Sequence, residues 1–169
     1  MLKYRVFVYG TLKTGQANNH VITSVENGLS KLYAAGRTVD LYPLVIGSKY
    51  NIPFLLNKRG LGNNVFGEIW DVDDKMLAVL DRLESHPRAY IREQIPIEII
   101  SYCASSDQAK QQESTIVNCW TYLLPRFKPQ FLDQEFFQDY SEEACAKCSY
   151  VPRVARDIEN YDPYADVMG

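Results

Sequence analysis

Long apolar runs are missing from this 169-residue chain, and so is any run of Lys or Arg longer than two residues. The first absence excludes a membrane-spanning helix, which needs about 20 mostly apolar residues in succession. The second, together with a net charge of −3, removes the basic surface to which phosphate backbones are drawn, so no nucleic-acid partner is expected. The opening MLKYRVFVYG is broken by Lys3 and Arg5 and has no apolar stretch of the secretory kind. Cysteine is scarce. Cys103, Cys119, Cys145 and Cys148 are too few and too unevenly spaced for a disulfide scaffold, which fits a reducing compartment and a cytosolic protein. Histidine is scarcer, and His20 and His86 lie far from the Cys145-Ala-Lys-Cys148 pair, which has no second pair at zinc-ribbon spacing, so no metal is expected. A Cys-His hydrolase is disfavoured because Cys103 and Cys119 both fall in strand-like segments, where a buried thiol is the usual case. Asp71-Val72-Asp73-Asp74 lacks the glycine of a calcium loop, Met76 standing in its place, and reads as an acidic helix cap.

What is present is an ordinary core composition, 46% hydrophobic and 23% charged, which fits one compact domain. Segments rich in β-branched and aromatic residues at 4–9, 31–39, 44–46, 53–56 and 66–72 are separated by Gly, Pro and Asn clusters and predict strands. Two longer strands, 90–102 and 115–124, flank the polar stretch SSDQAKQQES, which reads as an exposed hairpin loop. A short helix is expected near 20–26, capped by Asn18 or Asn19. The aromatic segment 127–140 would cover an open barrel end rather than form a partner-binding groove, and the last twenty residues hold too few aliphatic side chains for a core of their own. The fold class is α+β, with a strongly curved or barrel-like mixed sheet and few helices.

One residue breaks a pattern. Along DDKMLAVLDRLES, Leu77, Leu80 and Glu84 share a helix face with Met76 and Leu83, so a carboxylate points the way the apolar side chains point. An inward carboxylate must be paired, protonated or kept for chemistry, because a buried unpaired charge costs several kcal/mol. Pro87 puts Glu84 in the last turn, where the negative end of the helix dipole also opposes its ionised form. Both effects raise its pKa, as suits a general base that must return its proton. On the helix alone, a structural Glu bonded to a nearby Tyr or Arg explains the pattern as well. A second candidate is the loop Tyr9-Gly10-Thr11-Leu12, which follows a strand and precedes a helix, a setting that leaves backbone N–H groups free for an anion. Gly10 would let the backbone turn and a ligand approach, and Lys13 would meet a carboxylate or stay solvated.

The strings VFVYGTLKTGQANNHVI at 6–22, YPLVIGSKYNIPFLL at 42–56 and VFGEIWDVDDKMLAVLDRLESHPRAYIRE at 65–93 closely resemble the gamma-glutamylamine cyclotransferase family, within the gamma-glutamylcyclotransferase-like (AIG2-like) superfamily. The likeness runs from about residue 4 to 153, including Tyr150-x-Pro152-Arg153; it weakens over 128–149 and leaves 154–169 as an extension expected to be poorly ordered. The resemblance implies a small mixed β-barrel with few flanking helices, a catalytic Glu84, and a substrate loop of Tyr9, Gly10, Thr11 and Leu12, with Tyr90 lining the pocket or orienting Glu84. It also implies a cofactor-free, monomeric carbon–nitrogen lyase that releases 5-oxoproline from ε-(γ-glutamyl)-lysine and related amines left by crosslink degradation.

The chemistry is self-sufficient. A γ-glutamyl amide carries its own nucleophile, the α-amino group, so the protein need supply only a base, an acid, oxyanion donors and walls that hold the substrate folded. Glu84 can be base and then acid, and the loop amides can bind the α-carboxylate or the oxyanion. Two alternatives remain. A cyclotransferase for γ-glutamyl α-amino acids or glutathione would need to accept a carboxylate beside the scissile nitrogen, where a pocket for ε-linked amines has no use for a cation. A non-catalytic module would keep the pocket to bind a γ-glutamyl group or a protein partner.

Overall fold

The computed structural model describes residues 1–103, 115–141, 149–156 and 162–169. The polar stretch 105–114, Cys145 and Cys148 lie outside the described residues. The elements run β1 (Tyr4–Val8), α1 (Asn19–Thr23), β2 (Ser30–Thr38), β3 (Leu44–Gly47), β4 (Ile52–Leu55), β5 (Phe66–Val72), α2 (Asp74–Leu83), β6 (Ile91–Tyr102), β7 (Ile116–Leu123) and α3 (Pro163–Val167).

Strands β1, β5, β2, β6 and β7 close a barrel in that order, all antiparallel except where β1 meets β7 in parallel at Val6 and Trp120. Closure needs strong curvature, and β2 supplies it through irregularities between Leu32 and Ala34 and between Ala35 and Gly36. The two-residue period of β1 divides the core. Phe7 and Tyr9 join Ile69, Ile97 and Leu123 in one cluster, while Val6 and Val8 join Val72, Leu80 and Tyr90 in another. Buried on both faces, β1 carries the chain to a fixed point at its C-terminal end.

The hairpin β3–β4 pairs Leu44 with Leu55 through Gly47 with Ile52, and Leu124 donates its amide to Leu55 at 2.8 Å to hold the hairpin beside the barrel. Segment 127–140 packs over it: the Phe137 amide reaches Leu44, and Tyr140, 1% exposed, lies in the cluster with Phe7 and Leu55. Helix α2 begins at Asp73, whose side chain accepts the Met76 amide at 2.8 Å, and it buries Met76, Leu77 and Leu80. It ends at Glu84, followed by Ser85 with φ of 52°. At the chain's end, α3 is capped by Asp162 and sends Val167 to zero exposure in the cluster that contains Leu80 and Tyr90. Among the described residues, no helix is long and apolar enough to cross a membrane.

Candidate active site

The end of β1, the end of α2 and the start of β4 converge on one cleft of about 600 Å³, counting the space at its open mouth. Tyr9, Gly10, Thr11, Leu12, Glu84 and Tyr90, which come from separate stretches of sequence, all line it.

The loop is folded by its own carbonyls. Gly10 accepts the Lys13 amide at 3.1 Å and Thr11 accepts the Asn18 amide at 2.9 Å. The Asn18 side chain was a candidate helix cap, yet it makes no capping bond and instead donates to Thr11 Oγ1 at 2.9 Å and to the Tyr150 hydroxyl at 2.7 Å. A side-chain amide facing two fixed oxygens gains more there than from one exposed backbone N–H. The backbone turns at Gly10 without a positive φ, and the Pro53 ring, whose Cγ would lie 2.9 Å from a Cβ at this position, gives a further reason for glycine there. Lys13 meets a carboxylate of the chain itself, pairing with Asp139, and does not line the cleft.

Glu84 is the C-cap residue of α2, with its amide bonded to Leu80 at 2.9 Å, and its side chain reaches the cleft. Removal from water pushes its carboxyl up to about 7, and the positive charge of Arg153 partly opposes the rise. The residue is partly buried. Arg153 was not foreseen as a site residue; it donates to the carbonyl of Leu83 at 2.6 Å and so caps α2 beside Glu84.

Tyrosines line the remaining walls. Tyr9 donates to the Tyr122 carbonyl at 2.8 Å, and Tyr90, 2% exposed, stacks on Phe54 with ring centroids 6.0 Å apart. Tyr122 donates to Asp81 at 2.7 Å. Burial raises the pKa of Tyr9, Tyr90, Tyr122 and Tyr164, so each stays a neutral hydroxyl at neutral pH. Among the described residues lining the cleft, Glu84 is therefore the carboxyl whose charge changes near pH 7. Cys119 is buried in β7, with its thiol pushed up to about 12 by burial, and stands outside the cleft. The acidic run is used up locally: Asp71 meets Arg5 at 2.9 Å, Asp73 caps α2, and Asp74 accepts from Tyr4 at 2.9 Å. No group of three His, Cys, Asp or Glu among the described residues could hold a metal ion.

A family described as gamma-glutamyl cyclotransferase, AIG2-like, matches residues 6–142. The chain belongs to that family. It is 36% identical to zebrafish (Danio rerio) gamma-glutamylaminecyclotransferase C over 92% of this chain and 98% of that protein. It is 41% identical to the Drosophila melanogaster Troponin C-akin-1 protein over 80% of this chain and 75% of that one. A crystal structure of a mouse (Mus musculus) AIG2-like protein superposes with a TM-score of 0.82 at 33% identity, covering 92% of this chain and 100% of that chain. The gamma-glutamylcyclotransferase-like fold expected from the sequence is the fold observed. The family match contains Glu84, the loop and Tyr90 but stops before Tyr150, Arg153, Arg156 and Tyr164, all of which line the cleft. Tyr150 and Arg153 stood in a recognisable motif without an assigned role. Arg156 and Tyr164 carried no spacing signal, since what brings them to the site is tertiary packing.

Proposed function

We propose that this chain is a cofactor-independent γ-glutamylamine cyclotransferase that acts as a monomer in the cytosol, with ε-(γ-glutamyl)-lysine as its model substrate. Glu84 takes a proton from the substrate α-amino group, whose nitrogen forms a bond to the γ-carbonyl carbon. The tetrahedral intermediate then collapses, the bond from that carbon to the leaving nitrogen breaks, and Glu84 returns the proton to the departing amine. No water is consumed, and 5-oxoproline and a free amine result. The loop at residues 9–12 faces the α-carboxylate or the developing oxyanion with backbone amides, and the tyrosine walls keep the chain of the substrate folded back on itself.

The observation that carries this reading is a carboxyl with a pKa of about 7 in a cleft shared with that loop. A base that must also serve as acid works best when its pKa lies near the working pH. A second reading, a cyclotransferase for γ-glutamyl α-amino acids, draws support from Arg153 and Arg156, since it requires a pocket that accepts a carboxylate beside the scissile nitrogen. Every γ-glutamyl substrate carries an α-carboxylate of its own, however, so cations in the cleft suit both readings.

The two readings separate on the isomers of γ-glutamyl-lysine. The ε-linked isomer should be turned over at least about a hundredfold faster in kcat/KM, or roughly 2.7 kcal/mol in transition-state binding, because the α-linked one forces a second carboxylate against the scissile bond. Release of 5-oxoproline measures both. Comparable rates, or a preference for glutathione, would move the protein to the second reading, and no turnover of any of them would leave a binding module.

A further inference from the structure

Residues beyond the family match build part of the cleft. Helix α3 is tied down at two points: Val167 is fully buried in the core, and its carbonyl accepts the Lys128 amide at 2.7 Å. Between these anchors and the cleft, Tyr164 sets its ring edge-on to Tyr90, with centroids 6.1 Å apart and planes at 84°. Tyr164 lines the cleft together with Glu84, Tyr90 and Arg153.

We propose that α3 is a fixed wall of the active site and that Tyr164 is a positioning residue, its ring shutting water away from the flank of Glu84 between Tyr90 and Arg153. The inference rests on the reading of Glu84 as the base but concerns a different segment of the chain. Among the described residues, the titratable side chains that line the cleft with Glu84 are Tyr9 just after β1, Tyr90 just before β6, Tyr122 on β7, Tyr150, Arg153 and Arg156 from the segment after it, and Tyr164 on α3. Tyr9, Tyr90, Tyr122 and Tyr164 are neutral phenols, so what they supply in common is exclusion of water, and Arg153 is the cation that favours the ionised carboxylate. Removing the Tyr164 ring opens the one side of this enclosure that the C-terminal segment builds. The phenol is also replaceable in an informative way, because phenylalanine keeps the ring and drops the hydroxyl.

The test is a carbon-13 NMR titration of the Glu84 carboxyl in the full chain, the resonance being assigned by its loss in Glu84→Gln. The parent should titrate at about 7. Tyr164→Ala should titrate lower by about one unit or more, toward the ordinary carboxylate range, as water re-enters. Tyr164→Phe should match the parent, and the acid limb of kcat/KM should move with the carboxyl in each variant. Val167→Asp, which undocks α3 without altering a cleft residue, should reproduce the alanine shift and guards against a Tyr164→Ala protein that does not fold. An unchanged titration in a folded Tyr164→Ala or Val167→Asp protein overturns the proposal, and so does Tyr164→Phe behaving like Tyr164→Ala. If the carboxyl shifts as expected while no γ-glutamyl substrate is turned over by the parent, the wall stands and the assigned reaction falls.

Discussion

The two ends of α2 each carry acidic residues and treat them in opposite ways. At the N-terminal end, Asp73 accepts the Met76 amide and Asp74 is bonded to Lys3 and Tyr4; these hydrogen bonds hold both carboxyls below the usual carboxylate range. At the C-terminal end, partial removal of Glu84 from water outweighs the positive charge of Arg153, and its carboxyl rises to about 7. The same residue chemistry is structural at one end and reactive at the other because the first end offers N–H groups and solvent, while the second offers carbonyls and a tyrosine-walled cleft. Arg153 on the Leu83 carbonyl tempers this second end without cancelling it.

The most severe way to break the comparison is Glu84→Gln. Loss of the base should cost at least about a hundredfold in kcat, the lower range of what a positioned acid–base group contributes. Stability should move the other way, and the sign follows from the raised pKa. A carboxyl at 4.5 in the unfolded chain and about 7 in the folded one favours folding fully below pH 4.5, and that contribution is lost as pH rises through 7. At about 1.4 kcal/mol per unit, the ionised form costs the folded parent roughly 3 kcal/mol above pH 7. Urea unfolding at pH 5 and pH 8 should therefore show the Gln variant gaining on the parent at the higher pH. Near-normal turnover of this variant would remove Glu84 from the mechanism.

A smaller effect at the other end tests whether the two ends are separable. Gly28 has φ of 136°, and a Cβ there would stand 2.5 Å from both Asp73 Oδ1 and the Met76 nitrogen, in the middle of the capping bond. Gly28→Ala should cost about 2 kcal/mol through backbone strain and the disturbed cap. The acid limb of kcat/KM should stay where it is in the parent. A shift in that limb would mean that the cap sets the environment of Glu84 through the length of the helix.

The same contrast marks what could be read from sequence. Asp73 as a cap, Glu84 on the inward face and strands such as β5 at Phe66–Val72 follow from local spacing, because capping, helical periodicity and strand alternation act over a few residues. The parallel contact of Val6 with Trp120 that closes the barrel leaves no mark on either segment, since their partnership exists only once β5, β2 and β6 have curved between them. The cleft divides likewise. Its loop and its carboxyl sit in recognisable strings, whereas Tyr122 and Tyr164 are ordinary residues of a strand and a short helix until packing turns them inward. Asn18 shows the limit of a local rule, for a good capping residue in a capping position spends its side chain on Thr11 and Tyr150. Gly10 shows another, because its small size answers to Pro53, and a bulky substitution there would disturb packing as well as binding.

The mildest expected effect concerns that loop and sharpens the account of how it acts. If backbone amides at 9–12 do the binding, the Thr11 side chain matters only through the Asn18 amide that its Oγ1 accepts at 2.9 Å. Serine keeps that acceptor and removes one methyl group, worth at most about 0.8 kcal/mol. Thr11→Ser should therefore lower kcat/KM by less than about fourfold, with the acid limb unmoved because Glu84 keeps its enclosure. Thr11→Val keeps the shape and removes the side-chain acceptor, leaving Tyr150 as the acceptor of the Asn18 side-chain amide, so it should be the worse of the two by about tenfold, a net hydrogen bond being worth roughly 1 kcal/mol and an unmet part-buried donor somewhat more. A serine variant as damaged as the valine one would mean that the methyl, not the hydroxyl, positions the loop. Two silent substitutions would detach the side chain from function and leave the loop backbone opposite Glu84 to work alone.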